Sequence, residues 1–378
     1  MSAPSPGPIG PIRPMRADEC AAVARLWSLA FRGGDALPED RLAPKEGREI
    51  FVAEGEPGLV GAYELNATHF YVRGRRLSAG AIRSVAVSPE CRQSGVGHAL
   101  MRHSLSAMRG RGLAWSVLHP VRESYYARFG YAPAGRRIVL TCPLSIFPRL
   151  ELDLPVRLLT LEDWPQVEGA YHAWAARYSG THARSGFDWS RVHWSGEPTP
   201  AQVVAVGEPA EGFAVLRLKK GLRPAQEVSE VVWSSARGYR ALLSALGRIG
   251  YNGATLTWPE PGDSPFWALF CEYGLEATVE RPPMYRIIDA PAALRALGAD
   301  GEGEFTLELR DPLLPENAGP WRVRFGAGSV TVEPASTAQL ALDVRTAAQA
   351  LLGEPSLADL AAATRLLPRF PTHCADFF

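Results

Sequence analysis

Arg92-Gln93-Ser94-Gly95-Val96-Gly97 lies between a run rich in β-branched residues, Ile82 to Val87, and a stretch of helical pattern that starts at once. Glycines at such a junction let the backbone turn tightly and approach a ligand without interference from Cβ. The unpaired N–H groups of the helix start, aided by the helix dipole, then form a seat for a diphosphate. Arg92 adds a charge-assisted contact, and Gln93, Ser94 and Val96 complete the loop around Gly95 and Gly97. His98 opens the helix close to the same seat. On its own an R-x-x-G-x-G pattern also fits a plain strand-to-helix turn. The flanks add to it: Pro89 precedes the loop, and the apolar strand around Ala86 carries Val85 and Val87, whose amides can pair with a pantetheine chain. A tyrosine-bearing turn, "RESYYARFGYAPAG", follows the next apolar strand, "AWSVLHP".

These residues need elements to hold them. From Ile12 the chain reads as a short strand, then an amphipathic helix from Ala17 or Asp18 with Ala22, Val23, Leu26, Leu29 and Ala30 on one face. Alternating runs broken by Gly and Pro predict an antiparallel meander up to Pro89. The loop helix spans about Gly95 to Arg111, and Gly112 stands where a C-cap glycine belongs. "RRIVLTCPL" is expected to be the last strand of this unit. After a Pro-rich junction, a second unit starting at Val156 repeats the order and closes with "LEATVERPPMYRII". It has no counterpart of the glycine loop, so one nucleotide ligand per chain is expected. Trp174, Trp189 and Trp233 read as core or interface residues. Beyond Asp289, hairpin pattern and then helical pattern predict an α+β third unit. The expected fold is α/β and α+β, divided at 1–148, 149–288 and 289–378.

The 378 residues carry 40 basic and 40 acidic side chains, a balance that argues against a general nucleic-acid or anionic-membrane binder. No apolar run approaches the roughly 18 residues of a membrane span. The start, "MSAPSPGPIGPI", lacks the pattern of a signal peptide. Cys20, Cys91, Cys142, Cys271 and Cys374 are scattered without CxxC pairing, which fits a reducing compartment and no zinc site. The eight histidines show no metal-ligand spacing. A cytoplasmic, metal-free protein is expected.

The pattern V-A-V-x-P-x-x-R-x-x-G-V-G from Val85 to Gly97 resembles the GCN5-related N-acetyltransferase (GNAT) superfamily. "LHPVRESYYARFGYAPA", the three-part layout, the "MYRIID" junction and the end in Phe378 are similar to a narrower group, the enhanced intracellular survival (Eis) acetyltransferases. The resemblance implies tandem GNAT-like domains followed by a sterol-carrier-protein-2-like domain, assembled as homohexamers. It implies acetyl transfer from acetyl-CoA to a small-molecule amine such as an aminoglycoside, a polyamine or a lysine-type amine. Val85 and Val87 would hold the pantetheine, and Arg92, Gln93, Gly95, Val96 and Gly97 the diphosphate. Tyr126 would be the general acid and the carboxylate of Phe378 the general base.

The chemistry makes sense of such a pair. A protonated amine must lose a proton before attacking a thioester, and the departing thiolate must take one. A phenol of pKa near 10 gives its proton to a thiolate of pKa near 8.5 uphill by about 1.5 units, so positioning carries much of the benefit. Tyr125 is the rival to Tyr126, and His119 could also stand as a base. "HCADFF" reads either as an apolar anchor or as a device aiming the terminal carboxylate, with Asp376 a second acid nearby. Phe31 and Ser84 are expected in the acceptor pocket. Two other readings stay open: an acyl-CoA-binding protein without turnover, and a lipid-binding protein.

Overall fold

The computed structural model describes residues 9–56, 58–185, 189, 201–217, 225–249, 254–298 and 301–362. The chain begins with β1 (Ile12–Pro14), α1 (Cys20–Phe31), β2 (Arg48–Gly55), β3 (Gly58–Val72), β4 (Arg75–Val87), α2 (Val96–Gly110), β5 (Trp115–Leu118), α3 (Glu123–Ala127) and β6 (Ala132–Pro133). It continues through β7 (Arg137–Pro143), β8 (Val156–Leu159), α4 (Glu168–Ala175), β9 (Gln202–Val206), β10 (Gly212–Arg217) and β11 (Ala225–Trp233). Next come α5 (Ala236–Leu246), β12 (Thr255–Pro261), α6 (Phe266–Leu269), β13 (Glu276–Val279) and β14 (Met284–Ile287). The last elements are α7 (Ala290–Ala296), β15 (Gly303–Arg310), β16 (Gly319–Gly326), β17 (Ser329–Pro334), β18 (Leu340–Asp343), α8 (Val344–Leu352) and α9 (Leu357–Ala362).

Two compact units result. The first takes the chain up to His69, Leu77–Ala134 and everything from Pro283 on; the second takes Phe70–Arg76 and Gly135–Pro282. The first unit holds a seven-stranded sheet of order β1-β2-β3-β4-β5-β14-β6 and a four-stranded sheet of order β17-β16-β15-β18. One face of the larger sheet is covered by α2, with Leu100, Met101, Leu105 and Met108 packed on Phe51, Tyr63, Leu65 and Ile82. The other face is covered by α1, with Val23, Leu26 and Trp27 packed on Ile50, Val52, Ala62 and Ala86. Leu29, expected on the buried face of α1, is 44% exposed, and Ala22 is exposed too. The stripe that the helical period selects is Val23, Leu26, Trp27 and Ala30, so Trp27 replaces Leu29 in the core.

The second unit's sheet has the order β13-β7-β12-β11-β10-β9-β8. β7 was expected to close the first sheet. Instead it lies between β13 and β12, with Leu140 and Cys142 buried among Trp258, Leu242 and Leu256. β14 takes the place left in the first sheet, pairing antiparallel with β5 and β6. The expected closing run of the second unit is therefore divided between the two sheets. The cause lies in the sides each strand can bury. All four residues of β14 are buried, and its Arg286 finds Asp311 of the first unit at 2.8 Å.

The second unit contains a carboxylate without a nearby cation among its hydrogen-bond partners. Glu260, 1% exposed, accepts from Tyr239 Oη (3.0 Å), Trp258 Nε1 (2.9 Å) and Ser264 Oγ (2.9 Å). Burial pushes its pKa up to about 7, against 4.5 ordinarily. Below pH 4.5 the folded and unfolded states are both protonated. Between 4.5 and 7 only the folded state keeps the proton, so stability falls as pH rises through that window. Gln in this place keeps the two bonds to Oε1 and donates to Ser264. Glu260→Gln is expected to match the parent at pH 4 and to exceed it above pH 7 by on the order of 3 kcal/mol. Urea unfolding across that range checks this, and a pH-independent difference would refute it.

Candidate active site

The first sheet opens where the glycine loop begins. β4 and β5 run parallel and pair only at Ala79 with Trp115, Gly80 with Ser116 and Ala81 with Val117. β5 ends at Leu118, while β4 runs on for six residues to Val87 without a β5 partner. That stretch of strand edge is free to pair with an extended ligand. Within it, Ser84 has φ +51°, a left-handed conformation that a residue with a Cβ adopts at a cost. The turn shifts the alternation of β4: Ile82, Val85 and Val87 all pack toward the α2 side, while Ala86 is buried against the α1 core. Ala86 can therefore serve a ligand through its backbone only.

The loop itself follows a short 3₁₀ turn, Pro89–Cys91. Arg92 is exposed, its Nε 3.5 Å from the carbonyl of Val87, and Ser94 Oγ donates to the carbonyl of Cys91 at 2.5 Å. Gln93 (φ +64°) and Gly95 (φ +93°) both take left-handed conformations, so the chain swings into α2 with no side chain capping its N-terminus. Gly97 is a true close approach: a Cβ built there would lie 2.7 Å from Tyr125 Oη. His98 is exposed, with its ring 5.1 Å from that of Phe129. Uncapped amides, tight glycines and an arginine in one place fit a diphosphate.

α5, in the second unit, shows the opposite arrangement. Its N-terminus is capped by Ser235, whose hydroxyl accepts from Gly238 N at 2.9 Å and donates to Glu211 at 2.6 Å. Arg237 also pairs with Glu211. A Cβ on Gly238 would lie 2.5 Å from the carbonyl oxygen of Glu211. Ser235 thus already takes an amide of this helix start that a diphosphate would use.

α3 carries Tyr125 and Tyr126, both half-buried. Their rings meet edge to face at 5.1 Å, and Tyr126 stands 6.4 Å from Tyr131. Burial raises both phenol pKa values, and for Tyr125 the neighbouring Tyr126 adds to it. Both therefore hold their protons at neutral pH. The Tyr125 hydroxyl stands against Gly97, and neither tyrosine hydroxyl makes a hydrogen bond among the described residues. A free, protonated hydroxyl suits a proton donor. The turn after Tyr126 is held by side chains distant in sequence: Arg286 Nε donates to Phe129 O at 2.6 Å, Arg345 Nε to Tyr131 O at 3.2 Å and Gln349 Nε2 to Pro133 O at 2.8 Å.

His119 lies exposed just beyond the end of β5, and Phe31 is 52% exposed at the end of α1. Phe378 and Asp376 fall outside the described residues. A polar group that the sequence did not single out adjoins Ser84. Arg41 donates to Glu64 at 2.6 Å and to Ser84 Oγ at 2.9 Å, with its guanidinium 4.6 Å from the Trp27 ring centre. Its signal in the sequence is an acid, Glu64, inside the apolar run of β3. Among the described residues no group of three His, Cys, Asp or Glu could hold a metal ion, and no helix is long and apolar enough to cross a membrane.

Residues 11–134 match the family described as Acetyltransferase (GNAT) domain, residues 180–287 match a second family of that description, and residues 290–371 match the Sterol carrier protein domain. The chain is 28% identical over 312 residues to N-acetyltransferase Eis of Mycobacterium tuberculosis, covering 77% of this chain and 74% of the relative. It is 26% identical over 333 residues to an uncharacterised N-acetyltransferase of Streptomyces coelicolor, covering 83% and 80%. A GCN5-related N-acetyltransferase from Anabaena variabilis has the same fold, with a TM-score of 0.86 at 20% identity, over 97% of this chain and 95% of that one. The chain is an acetyltransferase built on GNAT domains, and it is similar to Eis. Its tandem GNAT domains and C-terminal sterol-carrier-like domain are those implied by the sequence resemblance.

The contact between Gly97 and Tyr125 in this acetyltransferase can be tested directly. Gly97→Ala places a methyl group on the Tyr125 hydroxyl and is expected to cost about 1–3 kcal/mol by overpacking. Removing that oxygen in Gly97→Ala/Tyr125→Phe is expected to restore most of the loss, since the next ring atom is 3.8 Å away. Denaturant unfolding of the two variants decides. An additive pair would mean that the hydroxyl is not what limits Gly97.

Proposed function

We propose that the chain transfers the acetyl group of acetyl-CoA to the nitrogen of a small amine, at the opening between β4 and β5. The observation that carries this reading is the uncapped start of α2 next to an unpaired strand edge, with the free hydroxyl of Tyr126 on the neighbouring helix. In this proposal Arg92, Gln93, Ser94, Gly95, Val96 and Gly97 take the diphosphate. The backbone of Val85, Ala86 and Val87 pairs with the pantetheine arm, and His98 flanks the loop. Backbone N–H groups along the strand edge polarise the thioester carbonyl.

The amine nitrogen forms its bond to the carbonyl carbon as the carbon–sulfur bond breaks. Tyr126 gives its proton to the departing sulfur, and the amine proton passes to a base, for which the proposal keeps the main-chain carboxylate of Phe378. Because burial holds the Tyr126 phenol above its ordinary pKa, the donor remains charged with its proton across the neutral range. Ser84, Phe31, His119 and Asp376 are carried as candidates around the acceptor. The acceptor class is an aminoglycoside-like, polyamine or lysine-type amine. A homohexamer in the cytoplasm completes the proposal, with the assembly checked by light scattering.

Thiol release from acetyl-CoA, measured against aminoglycosides, polyamines, lysine derivatives and amino acids, tests the reaction. Tyr126→Phe is expected to lower kcat by about 10²–10⁴-fold while the affinity for CoA stays within twofold. An unchanged kcat would remove Tyr126 from the mechanism. Titration calorimetry is expected to give one CoA per chain, because the second α5 start is occupied by Ser235 and Glu211. Two would contradict that reasoning. A protein that binds CoA yet releases no thiol with any acceptor would return the chain to acyl-CoA binding without turnover.

A further inference from the structure

We infer that Arg41 is the specificity residue of the acceptor side, and that it selects amines that also carry a carboxylate. The inference rests on the proposed transfer at the β4–β5 opening. Arg41 Nη2 makes both of the residue's hydrogen bonds, to Glu64 Oε2 at 2.6 Å and to Ser84 Oγ at 2.9 Å. Its Nε and Nη1 make none among the described residues, although the side chain is still 17% exposed. A guanidinium has five N–H donors, and several of these stay available.

Everything else about Arg41 is fixed. Its face lies on Trp27, whose own side chain is buried. Its main chain is tied down by Arg48, which donates to the carbonyls of Arg41 (2.8 Å) and Ala43. Glu64 is fully buried. Burial would raise its pKa, but the charge and hydrogen bond of Arg41, with Asn66 and Arg48, outweigh this and hold it below the ordinary value. Glu64 is thus an anion that orients Arg41 from beneath.

The position decides what this cation is for. Ser84 is the left-handed residue of β4, directly before Val85 on the strand edge proposed to hold the acyl arm. An arginine held rigidly there, with free donors, is prepared for an oxyanion on the acceptor rather than for a second ammonium, which it would repel. A carboxylate a few bonds from the reacting nitrogen is the group that fits. Of the acceptor classes proposed above, lysine-type amines with a free carboxylate, as in amino acids and short peptides, have that chemistry, and polyamines and aminoglycosides do not.

The test uses the full chain with saturating acetyl-CoA and acceptor pairs that differ only in the carboxylate: glycine and glycinamide, lysine and lysinamide, phenylalanine and phenylalaninamide. Arg41→Gln is expected to raise KM for the acids by about 10–100-fold, the loss of one charged hydrogen bond or ion pair. KM for the amides and kcat for both are expected to be unchanged. Arg41→Lys should recover part of the loss. Equal effects on acid and amide, or no effect on either, would overturn the assignment. Should Arg41→Gln fail to fold because Glu64 is left unpaired, Arg41→Gln/Glu64→Gln is expected to show the same discrimination with a parental melting point.

Calorimetry of the CoA-loaded protein with the N-acetylated acids and amides reads the site without turnover. Acid binding that depends on Arg41, in a protein that transfers to no acceptor, would uphold the site and sink the proposed transfer. Binding that is the same for acid and amide would sink the site alone.

Discussion

The ion pair of Arg286 and Asp311, neither of them exposed to solvent, is the constraint on which the first unit turns. A buried pair gains over its desolvation cost only when the remaining groups find partners, and here every guanidinium nitrogen has one. Arg286 spends Nε on Phe129 O, Nη1 on Ile287 O and Nη2 on both carboxylate oxygens. Asp311 also takes the amides of Leu313 and Leu314 and the side chain of Asn317. Asn317 in turn accepts from the amide of Ala290 and from Arg109, at the end of α2. One arginine therefore locks the returning strand β14 into the first sheet, ties the sterol-carrier-like part to it, and holds the turn that follows Tyr126. Taking away either partner would leave an unpaired buried charge, a loss of roughly 3–5 kcal/mol.

That network explains which parts of the molecule could be read from the chain and which could not. The glycine loop, the helix behind it and the tyrosine turn are local patterns, in which a few neighbouring residues dictate the backbone, and they were legible. The strand exchange was not. Ile138, Leu140 and Cys142 alternate in a way that suits either sheet, so nothing in β7 says which one it joins. The decision is made by Arg286 and a partner 25 residues further along. Arg41 and Glu64 escaped notice for the same reason, since they meet from segments 23 residues apart. Leu29 and Trp27 differ only in helical phase, and the aromatic ring wins because it falls with Val23 and Leu26.

The two GNAT domains share an architecture and differ at the start of one helix. β11 and β12 also pair in parallel over only three residues, Ala225 to Glu227, before β11 runs on alone. The strand parting is thus retained in the second unit. The helix starts differ. Gly95 leaves the amides of α2 open, whereas Ser235 and Glu211 fill and charge the start of α5. The buried aromatics Trp258 and Tyr239, both bonded to Glu260, then occupy the second unit's core. The two domains thus differ at one helix end while sharing the strand parting.

The shortness of β5 links the remaining features. It ends at Leu118 after four residues, one of them Ser116, which is bonded to Tyr131 at 2.7 Å and to the carbonyl of Gly80 at 3.0 Å. Ending there frees the edge of β4 on one side and sends the chain outward into α3 on the other, so strand opening and tyrosine helix are two results of one event. Had β5 continued in register past Leu118, its next residues would have faced Arg83 and beyond, closing the edge. His119 and Pro120 prevent that continuation in part, because proline has no N–H to give the ladder. A short strand stopped by proline thus leaves β4 without a β5 partner beyond Ala81 and turns the chain into a tyrosine helix whose Tyr125 meets Gly97 of the glycine loop.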